Sequence, residues 1–190
     1  MHHQTVFSVA RDFAPTSSWL TGAPLCWFLV ADKLGMAFAP AKSDVSGNIE
    51  RLAKKAPEHA ALFDIALAEV AAGTQASNSG CCKGLLWLKR FLEFTMALLA
   101  GLAEAPRAKS LKEIANASYE QNLKPFHGFM ASSAFSVVLQ FPPTREAFVN
   151  SLGGESAYEG MEKVVEGFRP ALGKIHAFLD ENKLNDPSKV

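Results

Sequence analysis

GLLWLKRFLEFTMALLAGL, residues 84–102, is the stretch that decides the fold. Trp87, Phe91, Phe94 and Leu98 stand at i, i+4, i+7 and i+11 and so run down one face of an α-helix. The pattern predicts a long helix over Cys81 to Glu104. Before it lies GTQASNSG, residues 73–80, whose small polar residues read as a loop.

Helical periodicity also dominates outward from this stretch, and no convincing strand interrupts it. A first helix is expected over Ser17 to Met36, bent early at Pro24. A second is expected over Ser43 to Lys55 with Ser43 as N-cap, and a third over Pro57 to Ala72 with Pro57 in its first turn. Ser110-Leu-Lys-Glu113 is a capping box that opens the fifth helix. The sixth is expected over Pro125 to Gln140, stopped by Pro142-Pro143, and a short seventh begins after Thr144. Gly153-Gly154 separates it from a last helix over Glu155 to Asn182, kinked at Pro170. Lys183 to Val190 reads as irregular. The expectation is therefore an all-α domain of about eight helices covering residues 1–190, with no internal repeat.

Composition narrows the function classes. Lys plus Arg is 19 and Asp plus Glu is 19, so the chain is formally neutral. Neutrality without a basic run argues against nucleic acid as the main partner and against membrane binding through a polybasic patch. The longest apolar stretch, LCWFLVA at 25–31, is far short of the about 20 residues a membrane span needs. A soluble, cytoplasmic protein is expected, with no metal and no cofactor, and weak uncharged docking on a bilayer stays open. Cys26, Cys81 and Cys82 have neither a disulfide framework nor zinc spacing and read as buried or half-buried free thiols.

The polar residues that stand out fall in three places. In FAPAKSDVSGNIERL, residues 38–52, a helix at about 100° per residue puts Asp44, Asn48 and Arg51 near 0°, 40° and −20° on one narrow face. Val45, Ile49 and Leu52 form the neighbouring apolar face. An acceptor, a mixed donor–acceptor and a cation with five donors suit sugar hydroxyls, which both donate and accept; spacing alone also fits a solvated face. Trp87 heads the stripe of the long helix, where an indole can stack on a sugar ring or simply pack in a core. In LKPFHGFMASSAFSVVLQFPP, residues 123–143, His127 shares a face with Ala131, Ala134, Phe135 and Val138. It is placed either as a structural histidine or as a donor to a buried ligand carbonyl.

Taken together, Asp44-Val-Ser-Gly-Asn48-Ile-Glu-Arg51, Trp87-Leu-Lys-Arg90 and His127-Gly-Phe129 resemble the recognition motifs of the glycolipid transfer protein family, in the same order and spacing over most of the chain. The resemblance implies a two-layer helical sandwich enclosing a hydrophobic pocket for a single glycosphingolipid, which the protein moves between membranes as a monomer and not as an enzyme. It implies that Asp44 and Asn48 hydrogen-bond the headgroup sugar, that Asp44 also accepts from the ceramide amide N–H, that Trp87 is the stacking plate, and that His127 donates to the amide carbonyl. Arg51 stands where the family usually has lysine, which keeps the charge and changes its reach. By the same resemblance Phe38, Leu123, Phe135 and Phe148 match tail-lining positions; periodicity adds Phe91, Phe94, Leu98, Val138 and Phe168. Phe129 matches a membrane-touching position, and Phe126 and Met130 extend it into an apolar lip.

A sister branch that binds ceramide-1-phosphate carries basic residues where this chain has Asn48 and Trp87, so these two favour a neutral sugar. Lys83, one helical turn before Trp87, matches a cation of that branch; with Arg51 it keeps open an anionic headgroup such as a sulfated sugar. A catalytic reading would pair Asp44 with His127 as acid and base, but no nucleophile elbow, metal-ligand cluster or phosphate loop accompanies them. A sensor that binds lipid without moving it is not separable from a carrier by sequence.

Overall fold

The computed structural model describes residues 30–59 and 61–189. Residues 30–34 are helical; the rest of the expected first helix, with Pro24, and Cys26 lie outside the described residues. Seven α-helices follow: α1 (Ala39–Lys55), α2 (Leu62–Ala71), α3 (Cys81–Ala103), α4 (Leu111–Asn122), α5 (Phe129–Val138), α6 (Arg145–Ser151) and α7 (Ser156–Glu181). Short 3-10 turns at Met36–Phe38, Ala56–Glu58 and Lys124–Phe126 lead into or out of them, and no strand occurs among the described residues. The all-helical sandwich expected from the sequence is thus the observed architecture.

The long apolar stretch does become the central helix. α3 packs against α7, α1, α4 and α2, and Leu85, Phe94, Leu98 and Leu102 along it are wholly buried. Its N-terminus is capped from another helix. The Glu69 carboxylate of α2 accepts the backbone N–H of Cys81 at 2.6 Å and of Cys82 at 2.9 Å, serving two of the orphan donors of the first turn. Cys81 and Cys82 are buried free thiols, as expected. Burial, reinforced by the Glu69 charge, pushes them up to about 11 and about 12.

Three helix boundaries differ from expectation. α1 begins at Ala39 rather than Ser43, because Pro40 suits the first turn and the preceding 3-10 turn feeds directly into it; Ser43 lies inside the helix and caps nothing. Pro57 sits in the 3-10 turn Ala56–Glu58, and extended His59 (φ −136°, ψ 141°) ends that turn. α2 then starts at Leu62, where the Asp64 carboxylate accepts the Ala61 N–H at 2.8 Å. The expected helix over Pro125 to Gln140 is split: Pro125 belongs to the turn Lys124–Phe126, His127 is extended (φ −90°, ψ 129°), and α5 starts at Phe129. The capping box is formed on both sides, with Glu113 N–H donating to Ser110 Oγ at 3.2 Å and Ser110 N–H to Glu113 Oε2 at 2.8 Å. Gly153 and Gly154 take positive φ (117° and 72°) to turn the chain between α6 and α7. Pro170 lies inside α7.

Candidate functional site

The polar stripe of α1, the first half of α3 and the inner face of α5 meet around a cavity of about 680 Å³. Its rim holds Asp44, Asn48, Arg51, Lys83, Trp87 and His127, so every residue expected at a headgroup is brought to one place. The expected α5 face is reproduced in full, since His127, Ala131, Ala134, Phe135 and Val138 all border the cavity despite the split helix.

Each polar group has a physical reason for its place. Val45 and Leu52 are buried against the core, which turns the adjacent stripe of α1 toward the cavity. Asn48 is almost fully buried, and its amide donates to the Asp44 carboxylate at 3.2 Å. That bond orients the Asn48 side chain and leaves its carbonyl and the second Asp44 oxygen as acceptors. Asp44 meets solvent at the mouth, yet the protein around it displaces enough water to push its carboxyl up; the Arg51 charge and the Asn48 amide offset part of that rise. Arg51 donates to the Asn78 carbonyl at 3.0 Å, so the loop before α3 holds this guanidinium at the rim. α1 and α3 come close at Gly84, where a Cβ would stand in ordinary van der Waals contact with the Asn48 backbone carbonyl, 3.4 Å away.

Trp87 is half-buried and His127 buried, with ring centroids 5.7 Å apart and planes 28° apart. The Tyr119 hydroxyl of α4 lies 3.1 Å from His127 Nδ1. Burial, then the neighbouring Arg90 charge, holds the imidazole below its ordinary value of 6.5. His127 is therefore neutral at pH 7, with one nitrogen donating and one accepting. Below the polar rim the floor is aromatic. Phe135 stacks on Tyr119 (4.6 Å, 9°) and receives Phe38 and Phe94 edge-on at 6.0 Å and 5.9 Å.

Of the expected tail-lining residues, Phe38, Phe91, Phe135 and Val138 border the cavity. Phe94, Leu98, Leu123, Phe148 and Phe168 are buried in the core and do not border the cavity. Of the expected lip, Phe129 and Met130 are 87% and 84% exposed. Phe126 is half-buried, and the Arg90 guanidinium lies 3.5 Å from its ring centroid.

Three contributors were given no role from the sequence, although Arg90 closes the Trp87-Leu-Lys-Arg90 motif. Arg90 is 2% exposed and borders the cavity; its place one turn beyond Trp87 is a signal that helical spacing contains. Tyr119 stands on the inner face of α4 with Ile114 and Ala115 buried beside it, a periodic signal of burial without one of function. Asp186 forms an ion pair with Lys83 across the rim, and no local pattern announces that contact. Among the described residues no group of His, Cys, Asp and Glu is arranged to hold a metal, and no helix is long and apolar enough to cross a membrane.

Comparison with known proteins bears on family and fold. The family model for glycolipid transfer protein matches residues 24–154. The chain is 33% identical over 162 residues to Glycolipid transfer protein 1 of Arabidopsis thaliana, covering 83% of this chain and 80% of that one. The structure that describes how FAPP2 selects simple glycosphingolipids with this fold superposes with a TM-score of 0.84 at 24% identity, over 99% of this chain and 98% of that one. Human ceramide-1-phosphate transfer protein bound to its 12:0 lipid superposes with a TM-score of 0.82 at 18% identity, over 95% and 96%. At those two identities the likeness speaks for the fold, while the family model and the plant relative speak for descent: this chain belongs to the glycolipid transfer protein family.

Proposed function

We propose that the protein binds one glycosphingolipid with an uncharged sugar headgroup and carries it between membranes. The observation that carries the reading is the convergence of Asp44, Asn48, Trp87 and His127 on one rim above an aromatic floor. In this reading the sugar lies on the Trp87 plate, with Asp44, Asn48 and Arg51 taking its hydroxyls. The ceramide amide is held from both ends: its N–H donates to Asp44, and its carbonyl accepts from His127. The tails enter past Phe38, Phe91, Phe135 and Val138 and part the core toward Phe94, Leu98, Leu123, Phe148 and Phe168.

Energetics divides the labour. Each buried CH₂ is worth about 0.8 kcal/mol, so the tails supply most of the affinity. A bilayer offers them the same gain, so the tails select little. Leaving a buried donor or acceptor unpaired costs about 1–3 kcal/mol, and that penalty falls on any lipid without the amide or the sugar. The exposed pair Phe129 and Met130, beside His127 in sequence, serves as the membrane contact at which lipid enters and leaves.

The alternative is an anionic sphingolipid, sulfatide or ceramide-1-phosphate. It is favoured by Lys83 and Arg90 at the rim and by the shared fold of the ceramide-1-phosphate carrier. Transfer between vesicles of galactosylceramide, its sulfated form and ceramide-1-phosphate, together with mass spectrometry of lipid that co-purifies, separates the two. The proposal expects galactosylceramide to move fastest and a hexosylceramide to co-purify. Preferential transfer of ceramide-1-phosphate would overturn it, and binding without acceleration of transfer would make the protein a sensor.

A further inference from the structure

Residues 184–189 follow α7 and return to the cavity mouth. Leu184 anchors this strap: its side chain is buried and its N–H donates to the Leu179 carbonyl at 2.7 Å. Asp186 then reaches α3 twice. Its carboxylate pairs with the Lys83 ammonium, and its backbone carbonyl accepts the Arg90 guanidinium. The Ser188 N–H holds the other carboxylate oxygen at 2.8 Å, and Ser188 and Lys189 themselves border the cavity.

The cations Arg51, Lys83, Arg90 and Lys189 border the cavity, and the strap occupies Lys83 and Arg90. Both border the cavity on the Trp87 side of α3. Arg90 sits 4.9 Å from the Trp87 ring centroid and 3.5 Å from that of Phe126, and its Nε is buried without an acceptor. A guanidinium this deeply buried has a strong demand for an anion or carbonyl. The Asp186 backbone carbonyl meets part of that demand at Arg90, 96 residues away in sequence, while the Asp186 carboxylate pairs with Lys83, 103 residues away.

We infer that Asp186 is a specificity-determining residue for headgroup charge: it occupies the cationic side of the rim that Lys83 and Arg90 would otherwise offer to a phosphate or sulfate. An uncharged sugar leaves the Asp186 contacts intact. An anionic headgroup must displace the carboxylate and then sits beside it as a like charge. The inference rests on the proposed function and names the device that keeps the site to uncharged sugars. Because the Lys83 contact and the Ser188 N–H hold the Asp186 carboxyl down at about 2, the strap keeps its charge throughout the physiological range.

The test measures transfer of galactosylceramide and of its sulfated form between phosphatidylcholine vesicles at fixed salt. It uses the full chain as wild type, Asp186→Asn, and Asp186→Asn combined with Lys83→Met. Asp186→Asn is expected to raise the ratio of sulfated to unsulfated transfer about tenfold, the scale of one half-exposed charge contact. Adding Lys83→Met is expected to remove most of that gain. Should Asp186→Asn fail to fold by circular dichroism, Asp186→Ser, which also removes the charge, carries the same prediction. An unchanged ratio overturns the inference, and so does a rise that survives Lys83→Met undiminished, since loosening the strap would do that without charge. A wild type that moves neither lipid overturns the proposed function itself, and the inference with it.

Discussion

His127 illustrates how much of the site depends on single atoms. Its backbone is extended just before α5, which frees the ring from the helix and lets it lie beside Trp87. Neutral imidazole has one donor, and the Tyr119 hydroxyl beside Nδ1 decides which nitrogen carries it. With that hydroxyl donating, Nε2–H is left for a ligand carbonyl. Tyr119→Phe is expected to cost roughly 1–3 kcal/mol in urea unfolding, by stranding a buried nitrogen, and to slow lipid transfer; wild-type behaviour in both would remove Tyr119 from the account. Burial also sets a sign for pH. The folded pKa of His127 lies below the ordinary 6.5, so its contribution to stability is full above that value and is lost as pH falls toward the folded one. Ring-nitrogen NMR should give a His127 midpoint below 6.5 in the apo protein, and a midpoint above it would contradict the burial argument. At this scale the sequence was informative wherever chemistry follows helical spacing, as for Asp44, Asn48 and Arg51. It was silent on Tyr119, whose role exists only once α4 lies against the turn before α5.

At the scale of elements, local signals were readable and borrowed ones were not. The Ser110–Glu113 capping box and the Thr144 N-cap of α6 are closed within a few residues, so the starts of those two helices are evident from the chain itself. α3 has no side-chain cap of its own, and its first N–H groups are served by Glu69 from another helix. The starts of α2 and α5 differ from expectation for one cause: Pro57 and Pro125 suit the first turn of a helix, yet they sit in separate 3-10 turns; α1 starts early for another, since Pro40 and not Ser43 marks its first turn. The Glu69 cap makes a prediction. Burial pulls its carboxyl up, but the Cys82 and Cys81 N–H groups outweigh that, and it rests below 4.5. Its stabilisation is therefore present above pH 4.5 and lost as pH falls through the folded value. Glu69→Ala is expected to lower stability by about 1–2 kcal/mol at pH 7, with the gap to wild type narrowing in thermal melts on acidification. A gap that is constant with pH would contradict a charged cap.

The whole molecule joins a cavity, a strap and an exposed apolar lip. None of these is a property of one segment. Lys83 meets Asp186 across 103 positions, and a tail read as irregular becomes part of the rim only after α7 has packed on α3. Phe129 and Met130 carry their exposure as a cost to solubility that a membrane contact would relieve. Phe129→Ala is thus expected to slow transfer between vesicles several-fold while leaving lipid occupancy by mass spectrometry near wild type; equal loss of both would assign Phe129 to binding instead of docking. The central claim, that one rim reads a sphingolipid's sugar and amide together, is tested most directly by a crystal structure of the protein with galactosylceramide. The account predicts the galactose against the Trp87 indole, and the amide bridging Asp44 and His127 with the tails beneath Phe135. A lipid found with its sugar away from Trp87, or its amide touching neither Asp44 nor His127, would contradict it.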